Sequence, residues 1–355
     1  MTDRNASAER QQRGYPALLN VEAQPHWTVF LTDFALPSAD VRRVQRQLAT
    51  VHTRLLFIRI HGGLERVMRE IRSAGADPNA DYISLQAIVS RHENLTLLQG
   101  LFDRIPQRDL ARVDVPVLEC GFRPSYATQS LNVVMGADYL QQDRIADRFF
   151  EDLAKRKPYE VMVHTRGGTL QMRDSRPWFM LAGRLRADEI RSLPDGEVAY
   201  SAEAVEAEVE GEFVVDGAIL PIAQHPRFAE EARRLLRLSR DVSQRPLCLQ
   251  IRRGRVVGLT GRGIAPQILA KLFASNERYR RVNEIGISFN GASTKFIHQW
   301  PAASNEVRPG VHIGIGGAAN PDDADPQRSP LVHIDCIAAN CAVFVNGEPF
   351  LRASS

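Results

Sequence analysis

Cysteine is scarce and poorly spaced for chemistry. Four cysteines (Cys120, Cys248, Cys336, Cys341) occur in 355 residues and none forms a CxxC pair. Neither a zinc knuckle nor a disulfide framework is therefore indicated. No apolar run approaches the roughly 18 residues that a membrane span needs. Residues 1–14 are polar and lack the apolar core of a signal peptide, so the expected setting is the cytoplasm, with no membrane partner. An excess of one charge is also missing. The 45 Lys and Arg against 42 Asp and Glu leave a formal net charge of +3, and the arginines are spread along the chain. That pattern gives no footprint for nucleic acid. What remains, 44% apolar and 25% charged residues, is an ordinary globular composition with length for about two domains.

Residues 1–20 read as a flexible tail. Trp27–Phe34 is a short apolar strand, and Ser38 opens a helix in which Val41, Val44, Leu48 and Val51 recur at helical spacing. Arg54–Ile60 is a buried strand, which completes a strand–helix–strand unit with an expected parallel connection. Similar alternation continues to Glu119, so 21–158 is expected to be a layered α/β domain. Asp138–Arg156 closes it as an amphipathic helix. From Tyr159 the chain changes to short strands with polar turns, and 159–355 is expected to be one mostly β domain. Its turns include Arg252-Arg253-Gly254, Asn346-Gly347 and a hairpin over Glu212–Ile222 centred on Asp216-Gly217.

Near the C-terminus, Val332-His333-Ile334-Asp335-Cys336 alternates apolar and polar residues. On a strand, His333 and Asp335 project from one face with Cα atoms about 6–7 Å apart. One imidazole and one carboxylate in that arrangement suit a borderline divalent metal. Three more polar residues interrupt apolar strands: Glu197 after Pro194-Asp195-Gly196, Glu284 in Asn283–Ile287, and His312 in Val311–Gly316. A charged group at an inward-facing strand position needs a partner or a metal. His298 and Trp300 fall between two of these strands and His164 precedes a Gly-Gly turn, which makes all three candidates for substrate contact. Cys336 faces away from Asp335 and is expected in the core.

The order of these motifs from Gly196 onward resembles the aminopeptidase T family of metallo-aminopeptidases. The family pattern appears here as Pro194-Asp195-Gly196-Glu197-Val198, Val215-Asp216-Gly217, Asn283–Ile287, Val311–Gly316, His333–Asp335 and the strand and turn Ala342–Gly347. The resemblance covers a little over half of the chain. It implies an N-terminal α/β domain followed by a β-rich metal domain. It also implies a metal site of Glu197, Glu284, His312, His333 and Asp335 holding one or two ions (Zn, Mn or Co), with hydrolysis of a peptide or amide bond. Glu284 and Glu197 are then the catalytic carboxylates, with Glu197 or its neighbour in space as general base.

Two features depart from the family. No Tyr follows His312 in Gly316-Gly317-Ala318-Ala319-Asn320, and the chain is shorter than the typical peptidase. A shorter set of relatives, the 2,5-dihydroxypyridine 5,6-dioxygenases, resembles this chain in length and in outline from Trp27 to His164. Their first His falls where Glu284 stands here, but His312, His333 and Asp335 offer another facial triad for Fe(II). A third reading is a non-catalytic peptide-binding accessory protein of a peptide natural-product pathway. In each case the expected partner is a peptide or small-molecule substrate, and the expected state is a homo-oligomer such as a homodimer.

Overall fold

The computed structural model describes residues 13–19, 25–49, 51, 53–90, 93–105, 108–113, 123–186, 189–201, 208–223, 226–317 and 332–354. Of the proposed 1–20 flexible tail, 1–12 and 20 lie outside the described residues, as do His52, His92, Cys120 and 318–331. Tyr15–Leu18, by contrast, form a short buried helix, because their apolar side chains pack into the core instead of trailing in water. The architecture is mixed α/β, with an α/β unit and a β-rich unit. No helix among the described residues is long and apolar enough to cross a membrane.

The first unit draws its described residues from 1–117, 121–143 and 182–195. Its sheet is parallel, in the order β2-β1-β3-β4-β8. These strands are β1 (Trp27–Thr32), β2 (Arg54–Arg59), β3 (Ile83–Ile88), β4 (Arg108–Val113) and β8 (Ile190–Leu193). Every residue of β1 and β3 is buried, as expected of a parallel sheet covered on both faces. Trp27, Val29 and Leu31 point to one face and pack with Val67, Met68, Ile71, Leu98 and Leu101 from helices Leu64–Ser73 and Glu93–Arg104. Phe30 points to the other face and meets Tyr15 edge-on, with ring centroids 5.3 Å apart. The expected β-rich half begins at 159, yet β8 belongs to this parallel sheet. Arg191, buried on β8, donates to the Gly183 carbonyl and pairs with Glu189 and Asp195.

The second face of this sheet buries an acid. Asp109 stands opposite Ser84 in the ladder, is fully buried, and has no hydrogen-bond partner on either carboxylate oxygen. Burial pushes its carboxyl up from 3.8 to about 6, with the charge of Glu189 adding and that of Arg191 opposing. A carboxyl raised on folding favours the folded state below its unfolded value and loses that contribution as pH rises through its folded value. Asp109→Asn is therefore expected to gain stability over wild type at pH 8, by up to about 3 kcal/mol, and to gain none near pH 4. Urea unfolding at the two pH values checks this. An equal difference at both would refute it.

The second unit draws its described residues from 144–181 and 196–355. Among the described residues it has a seven-stranded sheet in the order β13-β12-β10-β6-β5-β17-β18 and a six-stranded sheet in the order β11-β16-β15-β14-β9-β7. The first comprises β5 (Tyr159–Thr165), β6 (Gly168–Asp174), β10 (Glu208–Val215), β12 (Leu247–Arg252), β13 (Arg255–Gly261), β17 (Cys341–Val345) and β18 (Glu348–Ala353). The second comprises β7 (Phe179–Leu181), β9 (Glu197–Ser201), β11 (Ala218–Ile222), β14 (Val282–Ser288), β15 (Gly310–Gly316) and β16 (His333–Ala338). The turns at Arg253-Gly254 and Asn346-Gly347 both take left-handed backbone, with φ of 49° and 67°, then 51° and 90°. That conformation matches the twist of two-residue hairpins.

The expected hairpin over Glu212–Ile222 is instead a corner. β10 pairs with β6 and β12, whereas β11 pairs with β16 in the other sheet. Asp216 does not close a two-residue turn. Its Oδ1 accepts from the Ala339 and Asn340 amides at 2.7 and 3.3 Å, and its Oδ2 accepts from Asn340 Nδ2 at 2.6 Å. A Cβ on Gly217 would come within 2.6 Å of the Phe296 ring, so glycine lets that ring close over the corner.

Candidate metal centre

Strands β14, β15 and β16 are almost wholly buried, so their polar residues have been taken out of water. The ladder decides where they point, because directly opposed residues of antiparallel strands share a face. Glu197 opposes Ser288, Gly286 opposes Ala199 and His312, Gly314 opposes Glu284 and Asp335, and Gly316 opposes His333. Glu197, Glu284, His312, His333 and Asp335 thus share one face. Ile285, Ile287, Ile313, Ile315, Ile334 and Cys336 bury the other.

The structure brings together all five residues that the sequence nominates as ligands and adds a sixth candidate, Glu306. One group consists of Glu197, Glu284, Glu306 and His312, and a second of Glu284, His333 and Asp335. Within each group, one donor atom per residue lies within 4.8 Å of every other. Glu284 belongs to both groups. Its Oε1 lies 3.9 Å from His312 Nε2 and its Oε2 lies 3.2 Å from His333 Nε2. His312 Nδ1 is 3.8 Å from Glu197 Oε2, and its Nε2 is 3.9 Å from Glu306 Oε1. Donors about 2.0–2.1 Å from a tetrahedral ion stand about 3.3 Å from one another, so the spacing matches a ligand set.

Three further observations test the fit. Both ring nitrogens of His312 and Oδ2 of Asp335 are buried without hydrogen-bond partners, although burying such atoms unmatched is costly. His333 Nδ1 meets the Gly317 carbonyl at 3.0 Å, which suits a proton there. Its Nε2 faces Asp335 Oδ1 at 2.8 Å and Glu284 Oε2 at 3.2 Å, so it is the nitrogen that an ion held by these two carboxylates would take. Glycines supply the space. A Cβ on Gly286 would lie 2.0 Å from the His312 ring, and one on Gly314 would lie 2.5 Å from that of His333. The donor set is four carboxylates and two imidazoles, the nitrogen and oxygen ligands of a borderline or hard divalent cation. The formal charge of two divalent cations would balance the four carboxylates. These residues fit a metal.

Without ions, the buried acids and imidazoles share protons. Burial pushes Glu197 up from 4.5 to about 7, opposed by His312 and by Ser288, whose hydroxyl donates to it at 3.1 Å. Burial also raises Glu306, reinforced by the charges of Asp335 and Glu197. Burial opposes charge on His312, but Glu197, Glu284 and Glu306 raise it to about 10. Burial would raise Glu284 as well, and the two imidazoliums hold it below the usual carboxylate range.

His298 and Trp300 lie in the 289–302 segment, both half-buried, outside both ligand groups. His298 stacks on Phe296 with centroids 6.2 Å apart, and its Nδ1 is 2.9 Å from Ser239 Oγ. His164 is on the other sheet, on β5, where it is exposed. It bonds Thr169 Oγ1 at 3.0 Å and lines a 490 Å³ open cleft with Thr169, Gly211 and Glu212. The triad His312–His333–Asp335 is not gathered as one group, since His312 falls in one ligand group and the other two residues fall in the second. Glu306, missed by the sequence reading, ends the four-residue helix Ala303–Glu306. Its only signal was being the sole acid between Phe289 and Val311.

With this geometry in hand, comparisons place the chain among known proteins. No curated protein matches it. Among solved structures it is similar to 2,5-dihydroxypyridine dioxygenase from Pseudomonas putida KT2440, with a TM-score of 0.54, 12% identity, and coverage of 92% of this chain and 90% of that one. It is also similar to wild-type AmpT from Thermus thermophilus, with a TM-score of 0.48, 15% identity, and coverage of 99% and 98%. At 12% identity the first likeness speaks to the fold, and the chemistry rests on the side chains. The family described as crocagin biosynthetic protein CgnE/B matches residues 189–346, a stretch that contains all six candidate ligands.

Proposed function

We propose that this protein is a divalent-metal hydrolase of peptide or amide bonds, working with two ions. The observation that carries this reading is Glu284, which presents one carboxylate oxygen to each ligand group. Glu197, Glu284 and His312 would hold one ion, and Glu284, His333 and Asp335 the other. Three protein ligands each leave open positions, as catalytic rather than structural sites do. Bound there, the ions would acidify a water and polarise the scissile carbonyl.

Glu306 is assigned the proton transfer. It reaches the site from a helix end rather than from the sheet, and its side chain is 20% exposed against 5% for Glu197. A group that exchanges protons with an attacking water needs that access. Glu306→Gln is expected to keep the metal content and to lower kcat by about 10²–10⁴-fold. Metal analysis together with turnover of a peptide panel checks this. Loss of an ion in that variant would make Glu306 a ligand instead. Less than a tenth of an equivalent of Zn, Mn or Co after reconstitution of the wild type would remove the hydrolase reading.

The family match favours a second reading, because that family belongs to a peptide natural-product pathway. On it, the chain binds a peptide without cutting it. Peptide affinity unchanged by chelation, with no cleavage of the bound peptide, would support that reading over the first.

A further inference from the structure

Between two of the candidate site residues stands a cation that is not fully engaged. Arg308 follows Glu306 by two residues and precedes His312 by four. Two residues of chain span at most about 7 Å, so its backbone is held beside the centre. Its guanidinium carbon lies 4.3 Å from the centroid of the Phe296 ring. Phe296 packs on Ala218, Leu220 and Ile337. Ladder pairing puts Ile337 opposite His312 and Leu220 opposite Asp335, on the ligand-bearing face. Phe296 is thus part of the wall of the site, and Arg308 lies on it.

On that wall, Nη1 of Arg308 is shut off from solvent and has no hydrogen-bond partner. Asp216 is the acid whose charge it feels. The Asp216 carboxylate, however, already accepts from Ala339 and from both the backbone and the side chain of Asn340. A guanidinium keeps its charge and offers its donors as a planar fork. A buried donor without an acceptor is costly to the fold, and stacking on an aromatic ring leaves the fork's edge for a bidentate carboxylate.

We propose that Arg308, stacked on Phe296, binds a carboxylate of the substrate beside the bond that is cut. The site rests on the peptide-hydrolase reading for its substrate. The carboxylate is either the C-terminus of a short peptide or an acidic side chain, and the same chemistry serves both.

The test uses the full chain loaded with zinc and three uncleavable probes, each with the scissile carbonyl replaced by methylene. These are reduced-bond alanyl-alanine acid, its C-terminal amide, and reduced-bond alanyl-glutamate amide, titrated by calorimetry. Wild type is expected to bind at least one acid-bearing probe about tenfold or more tightly than the neutral amide. Preference for the first acid assigns the C-terminus, and preference for the last assigns a side chain. Arg308→Gln is expected to erase the preference with zinc content and thermal midpoint unchanged. Arg308→Lys, which keeps the charge without the fork, is expected to retain only part of it and serves if the glutamine variant does not fold. No preference in wild type would overturn the site. So would a preference that survives Arg308→Gln, because the ions would then be taking the carboxylate, or one undiminished in Arg308→Lys. The hydrolase reading is scored separately, by cleavage of ordinary peptides. A protein that prefers the acid through Arg308 and cuts nothing keeps this site and loses that reading.

Discussion

Glu284→Ala is expected to disable both ligand groups in one substitution. Glu284 alone is common to them, with Oε1 toward His312 and Oε2 toward His333. Removing it takes one oxygen from each group and leaves two imidazoles that lose their shared counter-charge. On the two-ion reading, metal content should fall from about two equivalents to well under one. Hydrolysis should fall on the order of 10³-fold or more, since stabilisation of transition-state charge by a metal is worth several kcal/mol. Glu284→Gln sharpens the test. It preserves volume and one carbonyl oxygen, so one group keeps a donor while the other faces an amide NH₂. About one equivalent is then expected. Mass-spectrometric metal analysis after dialysis reads both variants, and two equivalents retained in either would end the idea that Glu284 bridges.

That Glu197, Glu284, His312, His333 and Asp335 share a face was legible in the chain because strand alternation is a strong constraint. Once His333 and Asp335 flank Ile334, and Glu284 stands between Asn283 and Ile285, period two dictates which residues can share a face. The ladder then aligns those faces across four strands. Glu306 was not legible for the opposite reason. It sits on a four-residue helix in a segment without period, and only the fold brings it beside His312. The Asp216-Gly217 turn misled because a local hairpin signal cannot report that β10 and β11 belong to different sheets. β8 was hidden likewise. Ile190–Leu193 is too short to show whether it joins the parallel sheet or the antiparallel ones. His164 was nominated for the Gly-Gly turn that follows it, a local signal that does not report which sheet its strand joins, and the ladder puts it opposite Ala342, on the other sheet.

The glycines opposite the ligands lead to the other large effect. Gly286→Ala adds one methyl group and touches no donor atom, yet it is expected to cost the centre about 100-fold or more in metal affinity. The new Cβ would lie 2.0, 2.3 and 2.7 Å from Cε1, Nε2 and Nδ1 of His312. Such contacts cannot be borne, and His312 is fully buried between strands, so the imidazole must leave its position rather than tilt within it. Disturbing only the support of a ligand usually costs 10–100-fold, and here the ligand itself is displaced. The second group should suffer less, because His333 and Asp335 oppose Gly316 and Gly314 rather than Gly286. Selective loss is therefore expected, with one ion gone and the other weakened only through Glu284. Zinc titration that resolves two affinities checks this, and equal weakening of both sites would show that the methyl group unfolds the sheet instead of displacing His312. Gly291→Ala is the matched control, since nothing lies within 4 Å of a Cβ there, and it should leave both affinities unchanged.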